Sequence, residues 1–283
     1  MSAWRQEWDE EPKKQTFGGG GGGMAGAGSP GGMVPYWVKR LLIANLAIYV
    51  VMAIIGNALP LVVHSALALD PGWWWNSAPF FPVWQLVSYG FLHGSISHIF
   101  FNCLMLYFFG SMVERAVGGR RFIVFYLGAM IAGGLLHSLL GKFPGMDNPV
   151  IGASGAIMGC ITAAAMLFPN SQVHLFGIIP IPLWVLAAAM VAIDLLSMAE
   201  TGDGVAHDVH LAGALIGVLY IKQGWYRTDV LAKVEQHREV KVAQSKAADA
   251  AKLDALLARI GKEGMSSLTN SEKQFLKQMS KRP

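Results

Sequence analysis

The chain has 283 residues, of which 53% are hydrophobic and only 14% are charged, whereas soluble proteins carry about 25% charged residues. This composition excludes a disordered chain and most soluble enzymes. The net charge is +4, but Lys and Arg lie near the two ends and in short clusters, so we expect no basic face for nucleic acid. The two cysteines, Cys103 and Cys160, fall in apolar stretches, which argues against disulfides and Cys-based zinc sites. The sequence predicts a membrane protein.

Three segments of different character follow one another along the chain. Residues 1–36 are polar and Gly-rich, which is typical of a flexible tail that cannot bury enough apolar surface to fold. Residues 37–225 form the predicted membrane domain. Residues 226–283 are soluble in character and are predicted to form a cytoplasmic helical hairpin.

Six apolar stretches in the membrane domain are candidates for membrane-spanning helices, each expected to need about 20 residues. These stretches cover residues 40–60, 88–112, 121–141, 154–168, 176–197 and 206–222. The fourth is short, since 15 residues before Pro169 rise only about 22 Å as a helix. We therefore expect it to be surrounded by the other five helices, with one end in a polar cavity.

The distribution of basic residues predicts the orientation of the spans. Lys and Arg precede the first span, lie between the second and third, and follow the sixth: Lys39, Arg40, Arg115, Arg120, Arg121, Lys222, Arg227 and Lys233. The loops on the other side hold Lys142 with several acidic residues. Both termini are therefore predicted to be cytoplasmic. The first external loop, residues 61–83, is rich in Trp and is expected at the outer leaflet.

Apolar residues at helical spacing predict the first helix of the hairpin: Leu253, Leu256, Leu257 and Ile260. Gly261 and Gly264 are expected to end this helix. Thr269 and Glu272 form a T-x-x-E capping-box pattern, which predicts the start of a second short helix.

Polar residues inside the spans are the most informative positions, because each ionisable group there costs roughly 2.5–3.5 kcal/mol at the bilayer centre. With the predicted orientation they all fall in the outer third of the membrane. They are His93, His98, Asn102, His137, Ser154, Asp194, His207, Asp208 and His210. This convergence favours a functional site.

His98 and Asn102 are spaced i,i+4 and share one face of the second span. Both side chains carry N–H donors, and two fixed donors suit the negative oxygen of a tetrahedral intermediate. A polar pair that joins two helices is the alternative interpretation, and the two residues alone do not exclude it.

Small residues on two spans predict a close helix–helix contact. Gly155 and Gly159 form a G-x-x-x-G face on the fourth span, and Gly213 and Gly217 form another on the sixth. Packing these faces together would bring Ser154, at the start of the fourth span, next to His210, one turn before Gly213. That pair is the arrangement of a nucleophile and its general base.

The sequence offers no evident carboxylate to orient His210. Asp208 is two residues away, and side chains at i,i+2 do not face each other on a helix. Asp194 could approach His210 only if the fifth span packs closely, and its simpler interpretation is a residue near the outer aqueous end of that span. We therefore predict a Ser–His dyad without an acid.

The chain resembles the rhomboid intramembrane serine proteases over residues 38–222. The matching motifs are His93-x4-His98-x3-Asn102, Gly152-Ala153-Ser154-Gly155 and His210-x2-Gly213-x3-Gly217. The resemblance implies an all-α membrane protein, a bundle of six transmembrane helices with a short central fourth helix. It implies cleavage of single-span membrane proteins within the lipid bilayer, without a metal or another cofactor. A bacterial cytoplasmic membrane is the expected location.

The resemblance also implies roles for individual residues. Ser154 would be the nucleophile and His210 the general base, while His98, Asn102 and the backbone N–H of Ser154 would form the oxyanion hole. His93 would line a water-filled cavity above the site. The remaining glycines fall into two groups, Gly152 and Gly155 beside the cavity and Gly159, Gly213 and Gly217 in helix packing.

The sequence departs from the family pattern at three positions, where Gln85, Ala116 and Met158 replace an Arg, an Arg and an aromatic residue. Two other functions are alternatives. One is a rhomboid-like protein that binds membrane clients without cutting them. The other is a metal transporter or metalloprotease with zinc held by four histidines, His93, His98, His207 and His210. No H-E-x-x-H motif supports the second alternative.

Overall fold

The computed structural model describes residues 33–55, 66–143, 147–175, 178–198, 205–227 and 230–280. The predicted Gly-rich tail lies outside these residues as far as residue 32. The chain separates into two compact units, Met1–Thr228 and Asp229–Pro283.

The first unit, named the membrane unit below, is mainly helical. Its helices are α1 (Tyr36–Ile55), α2 (Pro71–Asn76), α3 (Gln85–Ser88), α4 (Ile96–Val117), α5 (Gly119–Leu140), α6 (Ser154–Leu167), α7 (Leu183–Ser197) and α8 (His207–Lys222). Among the described residues, three helices are long and apolar enough to cross a membrane: α1 over Tyr36–Ile54, α4 and α5. The helices α6 and α7 are apolar but shorter. A count of six spans therefore stays a prediction.

The second span begins later than its hydropathy predicts. Helix α4 starts at Ile96, where the Ser95 hydroxyl accepts the His98 backbone N–H at 3.1 Å and caps the helix. The residues before it form helix α3 and a 3₁₀ turn, Tyr89–Phe91. His93 thus lies in the irregular link before α4, and its prediction as part of the helical span was wrong.

The fifth predicted span is also shorter than expected. Strands β1 (Gln172–Leu175) and β2 (Ile179–Pro182) pair in antiparallel fashion, with Gln172 opposite Pro182. Proline cannot donate a backbone hydrogen bond within a helix, so Pro180 and Pro182 keep this stretch out of the helix. Helix α7 therefore begins at Leu183 and not near residue 176.

Helix α6 lies at the centre of the unit. Every residue from Gly155 to Ala165 is buried, because small side chains let neighbouring helices approach closely. A Cβ on Gly213 of α8 would meet the carbonyl oxygen of Gly155, and one on Gly217 would meet that of Gly159. Backbone therefore packs on backbone along this contact.

A buried carboxylate fixes the start of α1. Glu114 of α4 accepts the backbone N–H groups of Trp37 and Val38 at 2.9 and 2.8 Å. These two N–H groups belong to the first turn of α1, where backbone N–H groups find no carbonyl acceptor within the helix. A negative charge at a helix N-terminus is also favourable.

The second unit is a helical hairpin of α9 (Val230–Glu263) and α10 (Asn270–Met279). The capping box is present, since the Thr269 N–H donates to the Glu272 carboxylate at 2.8 Å and the Glu272 N–H to Thr269 Oγ1 at 3.4 Å. Gly261 lies inside α9, so its prediction as a helix end was wrong; the chain turns at Gly264, where φ is +79°. Arg259 pairs with Glu272, and this pairing lowers the pKa of the Glu272 carboxyl to about 2.

Candidate active site

Ser154 is the first residue of α6, and the segment before it is held from several sides. Val150 and Leu69 exchange both backbone hydrogen bonds, at 2.9 and 3.1 Å. The Gly152 N–H donates to the Tyr89 carbonyl at 2.9 Å. These contacts fix the approach to the helix, so the Ser154 side chain has a defined position at a helix N-terminus, where backbone N–H groups lack helical partners.

The structure brings Ser154 and His210 together. Ser154 Oγ lies 2.7 Å from His210 Nε2, although the two residues are 56 positions apart in the chain. His210 is in the first turn of α8, and the close glycine contact between α6 and α8 sets this separation. A neutral imidazole with its proton on Nδ1 can accept the serine proton at Nε2.

The expectation that no carboxylate lies beside His210 was wrong. Asp194 of α7 accepts a hydrogen bond from His210 Nδ1 at 3.0 Å and from His207 Nδ1 at 2.7 Å, both at the same oxygen, Oδ1. The Asp194 and His210 side chains are 8% and 16% exposed. Sequence reasoning missed this contact because α7 is apolar on all sides and shows no periodicity. The available signal was that Asp194 is the one acidic residue in an apolar helix, where a charge needs a partner.

Gly152 leaves room for the His98 imidazole. Its φ is +118°, and a Cβ there would lie 2.6 Å from His98 Nε2 and 3.8 Å from Ser154 Oγ. His98 Nε2 and Ser154 Oγ therefore face the same point, the space beside Gly152. This is where an oxyanion donor would be needed.

Asn102 is buried on the same side of α4 as His98. Its Nδ2 donates to the His98 carbonyl oxygen at 3.0 Å, which uses one of the two amide hydrogens. The second hydrogen remains available to a bound group. Asn102 thus supports the helix turn that carries His98.

His93 packs against His98, with ring centroids 5.0 Å apart and an interplanar angle of 67°. It lies in the link before α4, so it approaches the site from outside that helix. The contact therefore places the His93 ring directly beside the proposed oxyanion donor His98.

A second imidazole–carboxylate pair holds the segment before Ser154. His137 of α5 lies 2.7 Å from Asp208 Oδ2 through Nδ1 and 2.9 Å from the Asn148 carbonyl through Nε2. A carboxylate and a carbonyl oxygen are both acceptors, so an imidazole with a proton on each nitrogen would satisfy both contacts, and Asp208 would balance its positive charge. Asp208 therefore faces α5 and not His210, as the i,i+2 spacing predicts.

The four histidines of the metal alternative do not form one group in this arrangement. Within the described part of the chain, the group with metal-binding spacing is Asp194, His207 and His210, whose ligand atoms all lie within 4.8 Å of one another. His207 and His210 belong to the four histidines of the metal alternative, whereas Asp194 is not part of that set.

The three departures from the family pattern lie in ordered parts of the fold. Gln85 is buried, and its Oε1 accepts the Asp70 N–H at 3.3 Å. Met158 is buried one turn below Ser154 in α6. Ala116 is partly buried on the last turn of α4.

A family model for the Rhomboid domain matches residues 81–227, more than half of the chain. The chain belongs to the rhomboid family. A second model, for a family of unknown function, DUF6576, matches residues 238–282 in the helical hairpin. Rhomboids are membrane-embedded proteins, which agrees with the apolar helices α1, α4 and α5.

Named relatives include proteases. The chain is 31% identical to "Rhomboid protein 1, mitochondrial" of Saccharomyces cerevisiae over 54% of this chain and 44% of that protein. It is 28% identical to "Rhomboid protease GlpG" of Yersinia pestis over 63% of this chain and 59% of that protein. The same values hold for "Rhomboid protease GlpG" of Yersinia pseudotuberculosis. The matched region thus spans about half the length of these curated relatives.

Proposed function

We propose that this rhomboid is an intramembrane serine endopeptidase. The observation that carries the proposal is the 2.7 Å contact between Ser154 Oγ and His210 Nε2. Hydroxyl groups are weak nucleophiles unless an adjacent base removes the proton, and His210 is such a base. The protease names of the relatives support the same reaction class.

The proposed reaction follows from the positions of the atoms. Ser154 Oγ attacks the substrate carbonyl carbon while its proton moves to His210 Nε2, and His210 then protonates the leaving amine. Water then attacks the carbonyl carbon of the acyl-enzyme while giving a proton to His210, and His210 returns that proton to Ser154 Oγ as the bond to the acyl group breaks and the carboxylic acid product leaves. His98, the Asn102 amide and the Ser154 backbone N–H are the proposed donors to the oxyanion.

The proposed substrates are single-span membrane proteins in the surrounding bilayer. A substrate helix must unwind before its carbonyl can reach Ser154, so Gly or Pro near the cut should favour cleavage. The proposed location is a bacterial cytoplasmic membrane with both termini inside. The relative with a mitochondrial name makes a mitochondrial membrane the competing location.

The test is cleavage of a single-span reporter protein in proteoliposomes. We expect wild type to cut it and Ser154→Ala and His210→Ala to lose cleavage by at least about 1,000-fold. Ser111→Ala is the matched control, because Ser111 is also a buried serine of the membrane unit. It lies on α4, towards the end of that helix that is far from His98 in the chain. The control variant should cleave like wild type.

Two further results would redirect the assignment. Binding of the reporter without cleavage by wild type would contradict the proposal and favour a non-cleaving client binder. Loss of cleavage on adding a chelator would favour the metal alternative through Asp194, His207 and His210.

A further inference from the structure

We infer that Asp194 is a positioning residue that fixes the tautomer and the orientation of His210. Asp194, His210 and Ser154 are then joined by two consecutive hydrogen bonds. The inference rests on the proposed function. It concerns the state of the imidazole before the serine proton moves.

The shared oxygen fixes the direction of each hydrogen bond. Both His207 Nδ1 and His210 Nδ1 lie against Asp194 Oδ1, at 2.7 and 3.0 Å. A carboxylate oxygen only accepts, and it has two lone pairs, so both histidines donate from Nδ1. In a neutral His210 the proton on Nδ1 leaves Nε2 unprotonated, the form that can accept the Ser154 proton at 2.7 Å.

The same contact stabilises the charge that forms during the reaction. When His210 takes the serine proton it becomes an imidazolium, and its Nδ1–H already points at a carboxylate. Burial strengthens this attraction, because Asp194 and His210 are 8% and 16% exposed and lie away from bulk water. His207 donates to the same oxygen, whereas the hydrogen bond with Ser154 Oγ is made by His210.

A purely structural role for Asp194 is the competing explanation. In that case the carboxylate would serve only to tie α7 to the start of α8, and its loss would lower stability without altering the chemical step. His207 makes the shorter of the two bonds to Asp194, so a tie of this kind would depend on His207 at least as much as on His210.

The decisive comparison uses kinetics with the reporter in proteoliposomes, with rates expressed per folded molecule. Asp194→Asn keeps the shape of the side chain but can present an N–H to His210 Nδ1 and so favour the wrong tautomer. We expect kcat to fall about 100-fold, within the range of general-base effects, with KM unchanged within about threefold. Asp194→Glu, which keeps the carboxylate, should recover at least about 10-fold of that loss.

Two variants separate positioning from structure. Glu114→Gln is the matched control, since it also neutralises a buried carboxylate of the membrane unit but at the start of α1; it should lower thermal stability and leave kcat unchanged. His207→Gln removes the other donor to Asp194. If it lowers kcat as much as Asp194→Asn does, Asp194 acts as a helix tie and the inference is wrong.

The outcomes are distinguishable from failure of the proposed function. If wild type is active and Asp194→Asn has the same kcat, only this inference is wrong. A wild type no more active than Ser154→Ala overturns the proposed function, and this inference with it. Where Asp194→Asn does not fold, Asp194→Ser takes its place, and a kcat equal to that of wild type overturns the inference in the same way.

Discussion

At the scale of single residues, Gly152 links the backbone to the proposed oxyanion site. It adopts φ +118°, a conformation that side chains disfavour, and its missing Cβ leaves space for His98 Nε2. Gly118 also has a positive φ, +85°, but a Cβ there would meet nothing within 4 Å. Substitutions at the two glycines therefore distinguish two effects. Both introduce backbone strain, but only the one at Gly152 also displaces His98.

We predict that Gly152→Ala and Gly118→Ala each lower stability by about 1–3 kcal/mol, because both place a side chain at positive φ. Gly152→Ala alone should also lower kcat, by about 100-fold, since it pushes away an oxyanion donor. Thermal unfolding in detergent and reporter cleavage measure the two effects. Equal cleavage by both variants would contradict the place assigned to His98.

The residues of the site were predictable from the sequence to different degrees. Ser154 and His210 could be paired because the glycine faces around them indicate which helices touch. Asp194 could not be paired with His210, because a helix that is apolar on all sides gives no indication of its rotation. Its partner became visible only with the packing of α7 on α8.

At the scale of elements, the contact between α6 and α8 determines the site. The two helices approach so closely that the Gly213 position faces the Gly155 carbonyl directly. Any side chain at this position must push the helices apart, and Ser154 and His210 would separate with them. Stability and activity should therefore change together here.

We predict that Gly213→Ala destabilises the membrane unit by roughly 1–3 kcal/mol, as overpacking does, and abolishes cleavage. Gly128→Ala is the control, since Gly128 lies on an exposed position of α5 with nothing within 4 Å of a Cβ. That substitution should raise stability by up to about 1 kcal/mol through helix propensity. Unfolding in mixed micelles compares the two; a Gly213→Ala variant as stable as Gly128→Ala would refute the close contact.

Sequence patterns located some elements better than others. The limits of α5, α6 and α8 follow from apolar runs bounded by Gly, Ser, Pro or charged residues. The start of α4 was predicted too early because residues 88–95 are apolar enough to continue the run. Local hydrogen bonds, such as the Ser95 cap, decide where the helix begins, and hydropathy does not register them.

At the scale of the whole molecule, the membrane unit and the helical hairpin are separate compact units, and the site described here lies entirely in the first. An ion pair joins the two helices of the hairpin. Glu272 accepts the Thr269 N–H and pairs with Arg259, so its carboxylate form is stabilised in the folded hairpin.

We predict an acid dependence of the hairpin. The pKa of Glu272 is lowered from 4.5 to about 2, mainly by its hydrogen bond with Arg259. A depressed folded-state pKa contributes stability that is fully present above pH 4.5 and is lost as the pH falls towards 2. Hydrogen exchange of Asn270–Met279 should therefore be faster in Glu272→Gln than in wild type near pH 6, with the difference vanishing near pH 2. Asp254→Asn, on an exposed position of α9, should match wild type throughout.

The most direct measurement is labelling of the purified full chain in detergent with a fluorescent fluorophosphonate, which reacts with activated serines and requires no knowledge of the substrate. We predict that wild type is labelled, that mass spectrometry locates the label on Ser154, and that Ser154→Ala and His210→Ala remain unlabelled. Folded wild type that stays unlabelled, or labelling that persists in His210→Ala at the wild-type rate, would contradict the claim that His210 activates Ser154.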